Sequence, residues 1–121
     1  MEIEMNTKLI EDFGEMKMFA VDIMLNGIKI GFAELFISYD EDGEKENAYC
    51  KSIEIYKNYR NNGYGTKVLK TLANENGGIY ICPDNDDAER LYKRLGEETD
   101  APQEFSSEID NWGIMYFISE D

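Results

Sequence analysis

"IEIYKNYRNNGYGTKVLKTL", residues 53–72, passes from one hydrophobic period to another across a glycine-containing turn. The segment before the turn, "AYCKSIEIY" (48–56), alternates apolar and polar side chains, which is the strand period. After it, "TKVLKTLANE" (66–75) places Val68, Leu69, Leu72 and Ala73 on one helical face, and Gly77-Gly78 supplies a stop. The turn between them carries Arg60, Asn61, Asn62, Gly63 and Gly65. A glycine turn opening a helix leaves backbone N–H groups unpaired and aimed together, where the helix dipole also favours an anion. Such a turn is either punctuation or a seat for phosphate. Two familiar seats do not fit. The ATP-type loop needs four residues between its glycines, and Gly63 and Gly65 are separated by one. The dinucleotide fingerprint needs a third glycine where Val68 stands.

Working outward, "IYIC" (79–82) is short and apolar, as expected of a buried strand, and Pro83 ends it. Residues 84–95, "DNDDAERLYKRL", read as a helix with an apolar stripe of Ala88, Leu91, Tyr92 and Leu95. Asp84 to Asp87 are available as caps. Asp86–Arg90 and Glu89–Lys93 are spaced as i,i+4 pairs, and Gly96 sits at a C′ position. Upstream, "MKMFAVDIML" (16–25) and "IKIGFAELFIS" (28–38) flank Asn26-Gly27, a strong hairpin signal because both residues tolerate positive φ. Residues 2–10 are either a further strand or a loose arm, and 38–47 a polar loop. The acidic stretch 97–111 takes no assignment, and 112–119 reads as a closing strand. The order predicts one α+β domain over residues 1–121. Its sheet is mixed and mostly antiparallel, with a central strand–helix–strand crossover and helices packed on the sheet.

Composition narrows the function. The chain has 121 residues, a net charge of −14, two cysteines and no histidine. No imidazole mechanism is open to it. Cys50 and Cys82 have no metal-ligand spacing, so no metal is expected, and they read as inert packing thiols of a cytoplasmic protein. No apolar run is long enough to span a membrane, and the negative charge disfavours nucleic acid. The charge is unevenly placed. Residues 48–95 carry 8 basic and 6 acidic side chains, whereas 1–47 carry 4 and 12, and 96–121 carry none and 8. The segment holding the glycine turn is thus the one that is not acidic, which suits an anionic ligand there and a cationic partner near the flanks.

The sequence around the turn resembles motif A of the GNAT N-acetyltransferase superfamily, Q/R-x-x-G-x-G/A between a strand and a helix, with Arg60, Gly63 and Gly65 on its positions. Downstream, "NDDAERLYKRLG" is similar to the family's next motif, with Asn85, Ala88, Leu91, Tyr92 and Gly96 matching. The resemblance implies acetyl-CoA or another acyl-CoA as donor, its pyrophosphate on backbone N–H groups of Asn61, Asn62, Gly63, Tyr64, Gly65 and Thr66, beside Arg60. The pantetheine arm would run near Ile53 and Ile55, with Asn85 at the start of the next helix. It further implies direct transfer to a primary amine, small molecule or protein, with Tyr92 protonating the CoA sulfur and Glu54 as the best candidate base. Asp22 and Glu34 stand behind Glu54. The family usually has two helices between its first two strands, but only residues 11–15 are available here, so either those helices or the first strand is missing. That reduced N-terminal region keeps a second reading open, a non-catalytic acyl-CoA-binding or acidic protein-interaction module on the same fold.

Overall fold

The computed structural model describes residues 2–109 and 114–120. Their sheet has seven strands in the order β1-β2-β3-β4-β5-β7-β6. The strands are β1 (Ile3–Asp12), β2 (Met16–Leu25), β3 (Ile28–Tyr39), β4 (Lys45–Ile55), β5 (Ile79–Ile81), β6 (Glu97–Thr99) and β7 (Met115–Ile118). Helix α1 (Tyr64–Asn76) links β4 to β5, and α2 (Asp86–Leu95) follows β5. Every neighbouring pair is antiparallel except β4–β5. The crossover through α1 makes that pair parallel, as the mixed-sheet reading expects.

The Asn26-Gly27 hairpin forms with both residues at positive φ, 51° and 79°. The two alternatives left at the N-terminus are now distinguished. Residues 3–12 are a strand paired along β2, and only residues 13–15 separate the two. The strand is present and the two helices are absent.

Four expectations need correction. The loop expected over 38–47 shrinks to residues 40–44, because β3 runs to Tyr39 and β4 starts at Lys45. Asp40 makes so tight a turn possible: its Oδ1 accepts from the N–H groups of Asp42 and Glu44, each at 2.9 Å. In α2, Arg90 pairs with Asp87, one turn position nearer than Asp86, while Lys93–Glu89 forms as expected at 3.6 Å. Gly96 is extended (φ −146°), not a left-handed cap. It is needed for space, since a Cβ there would lie 2.4 Å from the carbonyl oxygen of Phe117. Finally, part of the unassigned acidic stretch is ordered as β6 and a 3-10 turn, Gln103–Glu108. Asp110 and Asn111 of that stretch, and Trp112 and Gly113 of the expected closing strand, lie outside the described residues.

Alternation along the strands makes two cores, one on each face of the sheet. Leu35, Ile37, Ala48 and Cys50 join Val68, Leu69, Leu72, Tyr92 and others beneath the helices. Phe36 and Tyr49 face the other way and are covered by Phe105 and Ile109 from the acidic segment. Phe105 is fully buried, with its ring centroid 5.6 Å from that of Tyr49. Glu104 fastens the same segment by accepting from Ser38 Oγ at 2.8 Å and Asn47 Nδ2 at 3.0 Å.

Phe105→Ala is expected to cost about 3–5 kcal/mol in urea unfolding, because it opens a cavity in the core that Phe105 shares with Phe36, Tyr49, Ile109 and Met115. Glu104 adds a pH dependence. Partial burial pushes its carboxyl up, but the hydrogen bonds from Asn47 and Ser38 outweigh that and leave it below its ordinary value. Its contribution is therefore present above the unfolded carboxyl's range and lost as pH falls through the lower folded value. Urea midpoints between neutral pH and pH about 3 should fall less steeply in Glu104→Gln than in the parent.

Candidate functional site

The site begins where β4 and β5 part. They pair only at Tyr49–Tyr80 and Cys50–Ile81. Strand β5 then ends ahead of Pro83, which has no N–H to donate, while β4 continues to Ile55. A bulge in β4 marks the same place: Leu35 pairs with Cys50 and Glu34 with Ser52, leaving Lys51 unmatched. Bulges turn a strand and sharpen its twist. Past this point the β5-side edge of β4, residues 51–55, has no strand beside it among the described residues.

A cleft of about 490 Å³ fills the space between the end of β4, the glycine turn and the first turn of α2. It brings together Ile53, Glu54, Ile55, Arg60, Asn61, Gly63, Tyr64, Gly65 and Asn85. Asn62, Thr66 and Tyr92 are not in its wall. Asn62 instead braces the turn, donating from Nδ2 to the carbonyls of Tyr59 (3.2 Å) and Arg60 (3.1 Å). Arg60 donates from Nε to the Ile55 carbonyl at 2.8 Å, which ties the turn to the strand end. Asn61 and Gly63 both sit at positive φ, 65° and 77°, so the chain reverses tightly into α1.

The start of α1 is bare. Gly63 at its N-cap has no side chain to cap with, and no acidic residue lies in the first turn. The N–H groups of Tyr64, Gly65 and Thr66 precede the first intrahelical bond, Lys67 N–H to Gly63 at 3.1 Å. Helix α2 is the contrast. Asn85 caps it through Oδ1 on the Ala88 N–H at 2.8 Å, and Asp86, Asp87 and Glu89 crowd its first turn. Gly65 is not strained, and a Cβ on it would meet nothing nearer than Ile55 Cγ1 at 4.0 Å. Fold packing thus gives no reason for glycine at 65.

Tyr92 lies just behind the cleft on α2, two turn-neighbours of which, Ala88 and Leu91, do line it. It is buried, and its phenol is raised above its ordinary value by burial first, then by the nearby Cys50, Asp84 and Cys82. It therefore keeps its proton at neutral pH. Cys50 is buried, and burial with the Glu34 and Asp84 carboxylates pushes its thiol up to about 12. A thiol so held is a poor nucleophile at neutral pH. Glu54 is exposed in the cleft, and Glu34 accepts from Ser52 Oγ at 2.7 Å. Asp22 is ion-paired with Lys29 at 3.0 Å on the hairpin and lines neither the cleft nor the hollow described below.

Sequence reasoning missed one wall residue of consequence. Asp84 lines the cleft and also a second hollow of about 250 Å³ with Glu34, Ser52, Cys82 and Glu108. Read as one of four capping residues, Asp84 to Asp87, it is released from that task because Asn85 takes the cap.

The family model described as "Acetyltransferase (GNAT) family" matches residues 2–96. The chain belongs to the GNAT acetyltransferase family. Among curated relatives, it is 31% identical over 117 residues to a probable spermine N(1)-acetyltransferase of Bacillus subtilis subsp. natto strain BEST195. It is 30% identical over 117 residues to the spermine/spermidine N(1)-acetyltransferase of Bacillus subtilis strain 168. Both alignments cover 88% of this chain and 77% of the relative. Among solved structures it is similar to a GNAT family acetyltransferase from Elizabethkingia anophelis with acetyl-CoA bound. That likeness has a TM-score of 0.55 at 15% identity and covers 95% of this chain and 97% of the other. It is also similar to AtaTR bound with AcCoA, with a TM-score of 0.53 at 15% identity, covering 87% and 68%. These two likenesses bear on the fold.

The bare helix end yields a direct test. An aspartate at position 65 would complement the dipole of α1 and replace a helical glycine, so Gly65→Asp should melt at or above the parent temperature. Its carboxylate would nonetheless repel a phosphate, and acetyl-CoA affinity by calorimetry should drop by at least about tenfold.

Proposed function

We propose that the protein is an N-acetyltransferase that takes the acetyl group of acetyl-CoA and passes it directly to a primary amine, a cationic one of the polyamine type. The observation that carries the donor half is the bare N-terminus of α1 facing the cleft, in a chain that spends three acids on the first turn of α2. The pyrophosphate is assigned to the N–H groups of residues 61–66, with Arg60 beside them. The pantetheine arm is assigned to Ile53 and Ile55 along the edge of β4 that no described strand pairs, whose backbone suits its amides apart from the Ile55 carbonyl that Arg60 occupies. The acceptor half is supported by the net charge of −14 and by the substrates for which the spermine and spermidine acetyltransferases similar to this chain are named.

Catalysis on this reading is mostly positioning, since the cleft holds the thioester in line with an amine entering past the end of β5. Tyr92, protonated and buried behind the cleft, serves as the donor to the departing sulfur. Glu54, in the cleft wall, serves as the acceptor for the amine's proton through water. No role is given to metal in the proposal. The chain is taken to work as one domain, and its free thiols, Cys50 and Cys82, support a cytoplasmic setting. A non-catalytic acyl-CoA-binding module is the second reading, favoured by the three-residue link between β1 and β2, which leaves the acceptor side without its usual helical wall.

Spermidine acetylation followed by thiol release separates the two. Tyr92→Phe removes one hydroxyl and no core volume, so the fold should persist while kcat falls about 100-fold and acetyl-CoA binding stays unchanged. A parent that binds acetyl-CoA but releases no thiol with any amine would favour the binding module.

A further inference from the structure

The two cavities lie on opposite faces of the sheet. The cleft is walled by Ile53, Ile55, Ala88 and Leu91, which pack against the core beneath the helices. The hollow is walled by Tyr49, Cys82 and Ile109, which belong to the core on the other face. Where β5 stops, nothing of the sheet separates them, and Asp84, in the short link between β5 and α2, is the one residue lining both.

We propose that Asp84 is the acceptor-binding carboxylate, holding the amine of the incoming substrate at the seam where the hollow opens onto the acyl-donor cleft. This rests on the N-acetyltransferase reading above. The neighbouring acids are already engaged: Glu34 accepts from Ser52 Oγ at 2.7 Å, and Glu108 lies 3.8 Å from Lys51 Nζ. Among the described residues no cation pairs with Asp84, although Asp84 is exposed and the chain carries 12 basic side chains. Its charge reaches inward, for it is felt by the Tyr92 phenol and by the thiols of Cys50 and Cys82. The group assigned to the sulfur thus feels the group that meets the amine, and Asp84 shares the cleft wall with Ala88 and Leu91 of the helix that carries Tyr92. Asp84 thus selects a cationic acceptor and presents its nitrogen to the thioester, without itself entering a covalent step.

The test uses a ketone analogue of acetyl-CoA, in which a methylene replaces the sulfur, followed by spermidine titrated into the loaded protein by calorimetry. The parent, Asp84→Asn and Asp86→Asn are compared. Asp86→Asn makes the same charge change two residues away, at a side chain lining neither cavity. All three should bind the analogue alike, while Asp84→Asn alone should lose spermidine affinity by roughly 10- to 100-fold. In turnover, the same variant should raise the KM for spermidine and leave that for acetyl-CoA unchanged. Unchanged spermidine affinity in Asp84→Asn, with the analogue bound, overturns the assignment and leaves the acetyltransferase reading standing. Equal losses in the two variants assign the effect to the overall field and overturn it as well. Failure of the parent to bind the analogue overturns the underlying reading, and this assignment with it.

Discussion

Two rungs of parallel pairing hold β4 to β5, and the backbone left open beyond them shapes everything nearby. A β-strand edge inside a protein has to satisfy its N–H and C=O groups somehow. Here the β5 side of residues 51–55 ends in a cleft with no adjoining strand. The bulge at Lys51 bends β4 at the same level, and Pro83 prevents β5 from continuing as a donor. Pairing cannot be extended from either side, so the gap is part of the fold and not a lapse in it.

The glycine turn is built to the same end. Its own side chains brace it, through Arg60 on Ile55 and Asn62 on Tyr59 and Arg60, while the helix it opens is left without cap or acid. Charge distribution makes that choice informative. In a chain with 26 acidic residues, carboxylates near a helix N-terminus stabilise it, as Asp86, Asp87 and Glu89 do for α2. Leaving α1 bare forgoes that stabilisation, which an anion bound there would restore. The cleft's acids, Glu54, Asp84 and Asp87, stand on β4 and around the start of α2, away from the first turn of α1, and the hollow on the other face carries Glu34, Asp84 and Glu108.

Much of this was readable in the sequence because local signals and tertiary structure agree. Asn26-Gly27, the change of period across Gly63, and the glycines after α1 each specify backbone geometry by themselves. What escaped were features set by distant partners. Gly96 is fixed by the approach of Phe117, and the segment over 97–109 by the docking of Phe105 on Phe36 and Tyr49, neither of which has a periodic trace. The strand identity of residues 3–12 depended on a long pairing with β2 that weak alternation did not announce. For the site, the motif residues of the turn could be named in advance. Asp84 could not, since its place follows from which of four adjacent polar residues takes the cap of α2.

The account stands or falls on the bare end of α1 receiving the donor's phosphates. Backbone amide resonances, followed by NMR while acetyl-CoA is added to the isotope-labelled protein, test this residue by residue. The account predicts that the amides of Tyr64, Gly65 and Thr66 shift strongly, those of Ile53 to Ile55 shift with them, and those of β1 stay in place. Saturable binding that leaves the amides of 61–66 unmoved and shifts resonances elsewhere on the sheet would contradict it.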